Sequence, residues 1–342
     1  MGNRKVNVRR DKMRIATIGT GPIVDTFLSA LDNVEGADCI AMYTRPNSTS
    51  KAESLAAKYN VKKIYTDLEE MYSKPDIDFV YIASPNSLHF EQAFKALQHG
   101  KNVICEKPFT STVREAEKLI ELAKENNLML FEAISNIHLP NFRIVEENLK
   151  LLGDIKVIQC NYSQLSSRYL KLLEGEIPNI FNPEFSGGAL SDLNIYNLHF
   201  VIKLFGQPEK VQYTANKHSN GIDTSGIVTM EYSDFVAQCV GSKDTNSMNF
   251  ILIQGENGFI HVVGDPNSCT EVLLHLGDKK VKLNNQAISN RLYYELETFN
   301  QIYKEANYVE CYSLLDHSLS VMETYEKARE DGGIVFAVDK QE

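Results

Sequence analysis

The first 135 residues alternate between two kinds of segment, and this alternation limits the possible folds more than any other feature of the chain. Short apolar runs are typical of strands buried on both faces, and apolar residues three or four positions apart are typical of helices. The apolar runs lie at 14–19, 38–43, 78–84, 102–105 and 128–133, and the helical patterns at 22–33, 49–59, 88–99 and 112–126. This order predicts a doubly wound α/β fold, in which helices cover both sides of a parallel sheet.

After residue 135 the pattern changes, because strand-like segments then follow one another with short turns between them. These segments lie at 155–163, 209–216, 225–232, 235–241, 249–254, 258–263, 270–275 and 279–283, with helical patterns at 140–151, after the Gly-Gly step at 187–188, near 290–305 and at 311–330. Such an arrangement predicts an α+β domain with a large, mostly antiparallel sheet and helices on one face. We expect a disordered extension at 1–12, a first domain at 13–135 and a second at 136–342.

Composition excludes several classes of partner. The 342 residues carry a formal net charge of -10, so nothing attracts the chain as a whole to nucleic acid or to an anionic membrane. No run approaches the roughly 18 apolar residues of a membrane span, and the basic start MGNRKVNVRR lacks the apolar stretch of a signal peptide. The six cysteines are scattered without metal-binding spacing, which is typical of reduced core thiols. We expect a soluble, cytoplasmic protein without a metal.

The segment IGTGPIV at 18–24 follows the first predicted strand and begins the first predicted helix. Gly19 permits a tight turn, and Gly21 lets the backbone approach a pyrophosphate at the helix N-terminus, where free N–H groups favour anions. Thr20, Pro22 and Ile23 complete this turn. In this strand–turn–helix context the G-x-G pattern predicts a dinucleotide-binding Rossmann domain.

The end of the second predicted strand reads YTRPNSTSK, and it bears on the choice of dinucleotide. An NAD site normally has an acidic residue there for the ribose 2′-hydroxyl, but the first carboxylate in this sequence is Glu53. Arg45 can pair with a 2′-phosphate, while Thr44 and Ser48 can donate hydrogen bonds to it. We therefore favour NADP, with NAD as the alternative if Arg45 is only a solvated loop residue.

The stretch ASPNSLHFEQAFKALQHGKNVICEKPFT at 83–110, together with the G-x-G turn, resembles the Gfo/Idh/MocA family of oxidoreductases. The shared motifs are Pro-Asn-x-x-His at 85–89 and Glu-Lys-Pro at 106–108. GGALSDLNIYNLHF at 187–200 is similar to a glycine-rich segment in the family's second domain, with Tyr196 in place of the usual histidine. Tyr196 and the Thr-Arg strand end are traits of the subgroup similar to dimeric dihydrodiol dehydrogenase.

This resemblance implies specific roles for the matching residues. Ser84, Pro85, Asn86 and His89 are expected along the ribose and nicotinamide side of the cofactor, and Glu106 is expected to help hold it. Lys107 is expected to contact the substrate oxygen. The resemblance also implies that the second domain binds the substrate and that its sheet joins subunits into a homodimer or homotetramer.

Hydride transfer between a carbinol carbon and a nicotinamide leaves one proton for the protein to handle. Asp192 and Tyr196 are four residues apart, which places both on one face of a helix. If that face meets Lys107, the lysine would polarise the substrate carbonyl and lower the pKa of the tyrosine. Tyr196 would then exchange the proton, and Asp192 would orient the group or pair with Lys107.

Some of the side chains in these segments could have a structural role instead of a role in the site. Tyr196 could instead be a core tyrosine, and His199 and His138 could be either core or site residues. Asn194 stands where the family has glycine, so it could narrow the pocket or add a hydrogen-bond donor.

Three functions fit the sequence. The first is an NADP-dependent oxidoreductase acting on a sugar, polyol or other small alcohol or carbonyl compound. The second is a non-catalytic dinucleotide-binding regulator, since a fold alone does not determine function. The third is a glycosidase that uses bound NAD. The presence of Lys107, Asp192 and Tyr196 together favours the first.

Overall fold

The computed structural model describes residues 12–340, and its first half forms a six-stranded parallel sheet. The strands pair in the order β3-β2-β1-β4-β5-β6. Their bounds are β1 Met13–Ile18, β2 Ala37–Tyr43, β3 Lys63–Tyr65, β4 Phe79–Ile82, β5 Asn102–Glu106 and β6 Leu130–Ala133. The connecting helices are α1 Pro22–Leu31, α2 Thr49–Lys58, α3 Leu68–Tyr72, α4 His89–Gln98 and α5 Val113–Glu125. The predicted doubly wound α/β fold is confirmed.

Strand β4 shows why the strands of this parallel sheet are continuous apolar runs in the sequence. Phe79 and Tyr81 pack into the core on the α1 side, while Val80 and Ile82 pack into the core on the side of α4 and α5. All four side chains are fully buried. A strand in the middle of a sheet covered on both sides has no solvent face, so it has no polar alternation.

The second half forms an eight-stranded sheet in the order β14-β13-β12-β11-β7-β10-β9-β8. Its strands are β7 Ile155–Ser163, β8 Lys210–Lys217, β9 Asp223–Glu231, β10 Val236–Ser242, β11 Phe250–Gly255, β12 Gly258–Val263, β13 Glu271–Leu276 and β14 Lys279–Leu283. The pair β7–β10 is parallel and the other pairs are antiparallel, so the expectation of a mostly antiparallel sheet is confirmed. The remaining helices are α6 Pro140–Asn148, α7 Tyr169–Leu173, α8 Ile195–Phe205, α9 Leu292–Lys304 and α10 Tyr308–Asp331.

The last two helices return to the first sheet. Phe299 of α9 stacks on Phe131 of β6 with ring centroids 4.4 Å apart, and Cys311 of α10 donates to the Leu130 carbonyl. The C-terminal helices therefore complete the cover of the N-terminal sheet. The division into units at 13–135 and 136–342 stays a prediction, as does the extension at 1–12, of which only Lys12 lies within the described residues.

Some local features differ from the sequence predictions. The short elements β3, α3 and α7 were not expected, because three to five residues carry no measurable periodicity. Helix α10 begins at Tyr308 and not at 311, since the Asn307 side chain accepts a hydrogen bond from the Glu310 N–H and caps the helix there. No helix among residues 12–340 is both long and apolar enough to cross a membrane.

Candidate active site

A cleft of about 850 Å³ lies at the carboxyl end of the first sheet, where doubly wound folds bind their ligands. Ten of the predicted cofactor residues line it: Gly19, Thr20, Gly21, Pro22, Ile23, Thr44, Arg45, Ser84, Pro85 and Asn86. The other wall comes from the second half of the chain, through Arg168, Asn179, Ile180, Phe185 and Gly187. Residues from both halves of the chain thus line one cleft.

The two glycines of the G-x-G turn have different physical reasons to be glycine. Gly19 has φ +114°, and a Cβ there would lie 2.7 Å from the Ala83 carbonyl oxygen, so the turn itself requires glycine. A Cβ on Gly21 would meet no protein atom within 4 Å. The space in front of Gly21, at the start of α1, is therefore open to a ligand, and this fits a pyrophosphate group.

The residues after β2 were expected to bind the 2′-phosphate of NADP, and the structure shows how their side chains are placed. The Thr44 residue is largely buried, and its hydroxyl donates to the Ser48 carbonyl at 3.2 Å, so this hydrogen bond helps to hold the loop. Arg45 is exposed at the cleft, beside Ser48 and Lys51, a lysine that the sequence reasoning did not single out. No carboxylate belongs to the described lining of this cleft. These residues fit a 2′-phosphate better than a bare 2′-hydroxyl.

A second cavity of about 490 Å³ shares the wall formed by Ile23, Ala83, Ser84 and Asn86 with the cofactor cleft. Besides Ile23, Ser84 and Asn86, the predicted residues that line it are His89, Glu106, Lys107, Asp192 and Tyr196. Further polar lining comes from Tyr162, Gln164, Asp265, Asn267, Ser268 and Arg291. The structure therefore brings the three predicted catalytic residues together in a polar cavity that adjoins the cofactor cleft.

Lys107 and Asp192 form an ion pair in this cavity. The Lys107 ammonium lies 2.9 Å from Asp192 Oδ1 and 2.7 Å from the Asp192 carbonyl oxygen, and the Lys107 side chain is 12% exposed. The second carboxylate oxygen accepts a hydrogen bond from Lys243. Burial raises the pKa of Asp192, but the charges of Lys107 and Lys243 outweigh it, and the net pKa is well below the usual range. The aspartate is therefore ionised.

Tyr196 faces the same ammonium, with the Lys107 nitrogen 5.0 Å from the centre of its ring. Arg291 lines the same cavity as the tyrosine. Burial raises the pKa of Tyr196 above its ordinary value, even though Lys107 and Arg291 lower it. The charge of Lys107 thus acts in the expected direction on the pKa of Tyr196, but desolvation of the buried phenol is the larger effect.

His89 and Glu106 hold the backbone around Lys107. The two ring nitrogens of His89 lie 3.0 Å from the Pro108 carbonyl oxygen and 3.1 Å from that of Ser84. Glu106 accepts a 2.6 Å hydrogen bond from the Tyr81 hydroxyl and a longer one from the Lys107 N–H. The fully buried His89 thus ties the loop after β4 to the loop after β5.

Asp192 lies in a π-helical turn, Leu190–Asn194, and not in the α-helix that the spacing suggested. Buried Asp223 holds this turn by accepting a 2.7 Å hydrogen bond from the Leu190 N–H. Asn194 donates to the Cys239 carbonyl of β10 at 2.9 Å, so it points at the sheet and does not narrow the cavity.

His199 and His138, which the sequence left as either core or site residues, both lie in the core. His199 is fully buried and lies 3.3 Å from the Glu132 carboxylate and 3.1 Å from His317. His138 packs edge-on against Phe299, and burial lowers its pKa to about 3. Neither histidine lines the cavity of Lys107.

Sequence reasoning missed Lys243 and Arg291. Lys243 directly follows the buried strand β10, which is the same signal that drew attention to Lys107 after β5. Arg291 stands one residue before α9, in a polar stretch that carries no distinguishing pattern. A search for every lysine at the end of a buried strand would have found the first and not the second.

Comparison with known proteins assigns both halves of the chain to one family. Residues 13–134 match the model described as oxidoreductase family, NAD-binding Rossmann fold, and residues 148–261 match the GFO/IDH/MocA C-terminal domain. The chain is 37% identical to scyllo-inositol 2-dehydrogenase (NADP(+)) IolU of Bacillus subtilis, over 96% of this chain and 99% of that protein. It is 28% identical to trans-1,2-dihydrobenzene-1,2-diol dehydrogenase of Xenopus tropicalis, over 76% of this chain and 78% of that protein.

Solved structures agree on the fold. Levoglucosan dehydrogenase in complex with NADH and levoglucosan superposes with a TM-score of 0.81 at 16% identity, over 94% of this chain and 97% of that chain. With family models covering both halves and a full-length relative at 37% identity, the resemblance seen in the motifs is confirmed. The chain belongs to the Gfo/Idh/MocA family of NAD(P)-dependent oxidoreductases.

Proposed function

We propose that the protein catalyses the NADP-linked oxidation of a secondary alcohol in a small polyol or sugar, and the reverse reduction. The observation that carries this proposal is the cluster of Lys107, Asp192 and Tyr196 in a polar cavity that shares a wall with the cofactor cleft. Amide, hydroxyl and carboxylate side chains around that cavity suit a substrate with several hydroxyl groups. The polyol and NADP(+) in the name of the 37% identical Bacillus subtilis relative support the same substrate class and cofactor.

Three cofactor contacts follow from the cleft. The start of α1, with open space before Gly21, would hold the pyrophosphate, and Arg45 with Lys51 would pair with the 2′-phosphate. Ser84, Pro85 and Asn86 would lie along the sugar that leads to the substrate cavity. When bound there, the dinucleotide supplies the hydride chemistry.

Lys107 would hold the reacting oxygen of the substrate. An ammonium has three N–H donors, and two of those on Lys107 are used by the Oδ1 and carbonyl oxygens of Asp192. The third remains for a substrate oxygen in the cavity that Lys107 lines. A hydrogen bond from a cation to that oxygen is stronger when the oxygen becomes negative, as it does during hydride transfer.

Tyr196 would exchange the proton. Because burial raises its pKa, it is protonated at neutral pH and ready to donate to the oxygen during reduction. In the direction of alcohol oxidation the group must instead accept the proton. We therefore expect the rate of oxidation to rise with pH on the alkaline side of neutrality.

The test is to measure reduction of NADP⁺ and, separately, NAD⁺ at 340 nm with a panel of inositols, aldoses and simple alcohols. We expect turnover with at least one polyhydroxylated substrate, preference for NADP⁺, and higher rates at alkaline pH. Turnover of simple alcohols alone would contradict the polyol assignment. A bound cofactor that is never released, together with cleavage of a glycoside, would favour the glycosidase instead.

We also infer that two or more copies associate through the second sheet, in a reducing compartment such as the cytoplasm. Ile227 and Val236 are 38% and 45% exposed on strands of this sheet, which supports burial against another copy. All six cysteines are free, as expected where thiols stay reduced. Light scattering on the purified protein should give at least twice the 38.6 kDa chain mass, and a monomer mass would contradict the association.

A further inference from the structure

Lys243 lies behind the cluster of Lys107 and Asp192, where it touches neither cavity. It follows β10 directly, and its side chain is only 7% exposed. Its N–H donates to the Thr224 carbonyl at 2.8 Å, and its carbonyl accepts from the Ser166 N–H at 2.9 Å. The backbone of Lys243 is therefore fixed on both sides, and its ammonium reaches Asp192 Oδ2 from a rigid position.

The arrangement places one carboxylate between two ammonium groups. Lys107 binds Oδ1 and Lys243 binds Oδ2, so the carboxylate is held from both ends. With Lys107 alone, the pair would be neutral overall. With Lys243 the array has two ammonium groups against one carboxylate, so its formal net charge is +1. A net positive charge beside the substrate oxygen favours its alkoxide form.

We propose that Lys243 is a positioning residue for the reaction: it holds Asp192 so that Oδ1 stays on Lys107, and it leaves the array positively charged towards the substrate oxygen. This rests on the proposed oxidoreductase function. The other ionisable groups that line the cavity of Asp192 are Tyr196, Tyr162, His89, Glu106, Asp265 and Arg291. Both tyrosines are neutral at ordinary pH, and Lys107 and Lys243 are the two cations in direct contact with the Asp192 carboxylate.

The first test replaces Lys243 by methionine, which keeps the stem and removes the charge. We expect kcat to fall roughly 10- to 100-fold, with KM for the substrate changed less than threefold and NADPH binding unchanged. Lys243→Arg should recover most of the activity. Lys101→Met is the matched control, because Lys101 is similarly buried, its ammonium donates to the Lys74 and Ile77 carbonyls, and it lines neither cavity. It should leave kcat unchanged.

The second test uses Asp192→Asn and the double variant with Lys243→Met. If Lys243 acts through Asp192, the double variant should be no slower than Asp192→Asn alone. Unlike Asp192→Asn alone, the double variant does not leave the Lys243 ammonium buried without its carboxylate. Loss of one ammonium should also raise the pKa of Asp192, so that the acid limb of kcat/KM moves to higher pH in Lys243→Met.

The outcomes separate the two proposals. No turnover by the wild-type enzyme with any polyol would overturn the proposed function. Normal wild-type turnover with unchanged kcat in Lys243→Met would overturn only the role of Lys243. Additive losses in the double variant, or an acid limb that does not move, would likewise show that Lys243 acts structurally and not through Asp192.

Discussion

Replacing Lys107 by methionine is expected to lower kcat by roughly 10²- to 10³-fold, the usual cost of removing one donor that stabilises a developing oxyanion. The Lys107 ammonium has one N–H left for the substrate and lies in the substrate cavity, so its loss acts on the transition state. Asp192 keeps Lys243 as a partner, and the fold should therefore tolerate the change. Steady-state kinetics with the preferred polyol, in both directions, measure the effect.

Cofactor titration distinguishes this role from a structural one. Because Lys107 lines the substrate cavity and not the cofactor cleft, NADPH affinity measured by nicotinamide fluorescence should stay within about threefold of wild type. Lys101→Met again serves as the control for removing a buried lysine. A variant of Lys107 with nearly normal kcat, or one that loses NADPH and keeps its chemistry, would contradict the assignment.

Replacing Arg45 by alanine is expected to weaken NADPH binding and to leave NADH binding nearly unchanged. A hydrogen bond to a charged group is worth about 1.5–3 kcal/mol, which corresponds to roughly a 10- to 150-fold change in Kd. Arg45 is exposed at the end of β2, where no carboxylate of the described lining is available for a ribose hydroxyl. Fluorescence titrations with each cofactor at two salt concentrations measure the change.

Lys51→Ala and Lys62→Ala provide graded controls. Lys51 lines the same cleft, so its replacement should cause a smaller loss of NADPH affinity than that of Arg45. Exposed Lys62 lines neither cavity, so its replacement should cause no loss. The Arg45 effect should shrink at high salt, because ions screen an exposed pair. Equal weakening of NADPH and NADH would mean that Arg45 stacks on adenine without binding a 2′-phosphate.

The predicted strands of the second sheet agree with the structure to within two residues at each end, from 155–163 to 279–283. Local periodicity was sufficient to locate these strands, because turn residues and the alternation of apolar and polar residues are properties of neighbouring positions in the chain. The same holds for the G-x-G turn and for Lys107 after β5, since a motif is contiguous in the chain. Short elements such as β3 were not predicted, because three residues are too few to show a hydrophobic periodicity.

The sequence by itself therefore determined three features: the alternation of strands and helices in the doubly wound fold, the cofactor turn, and the position of Lys107 at the end of a strand. Only the tertiary structure decided which side chains meet. Lys243 reaches Asp192 across 51 residues, and Lys107 reaches it across 85, through the packing of two different sheets. It also decided the net pKa of Tyr196, in which burial outweighs the lowering by Lys107, because burial depends on everything packed around a group and not on its neighbours in the chain.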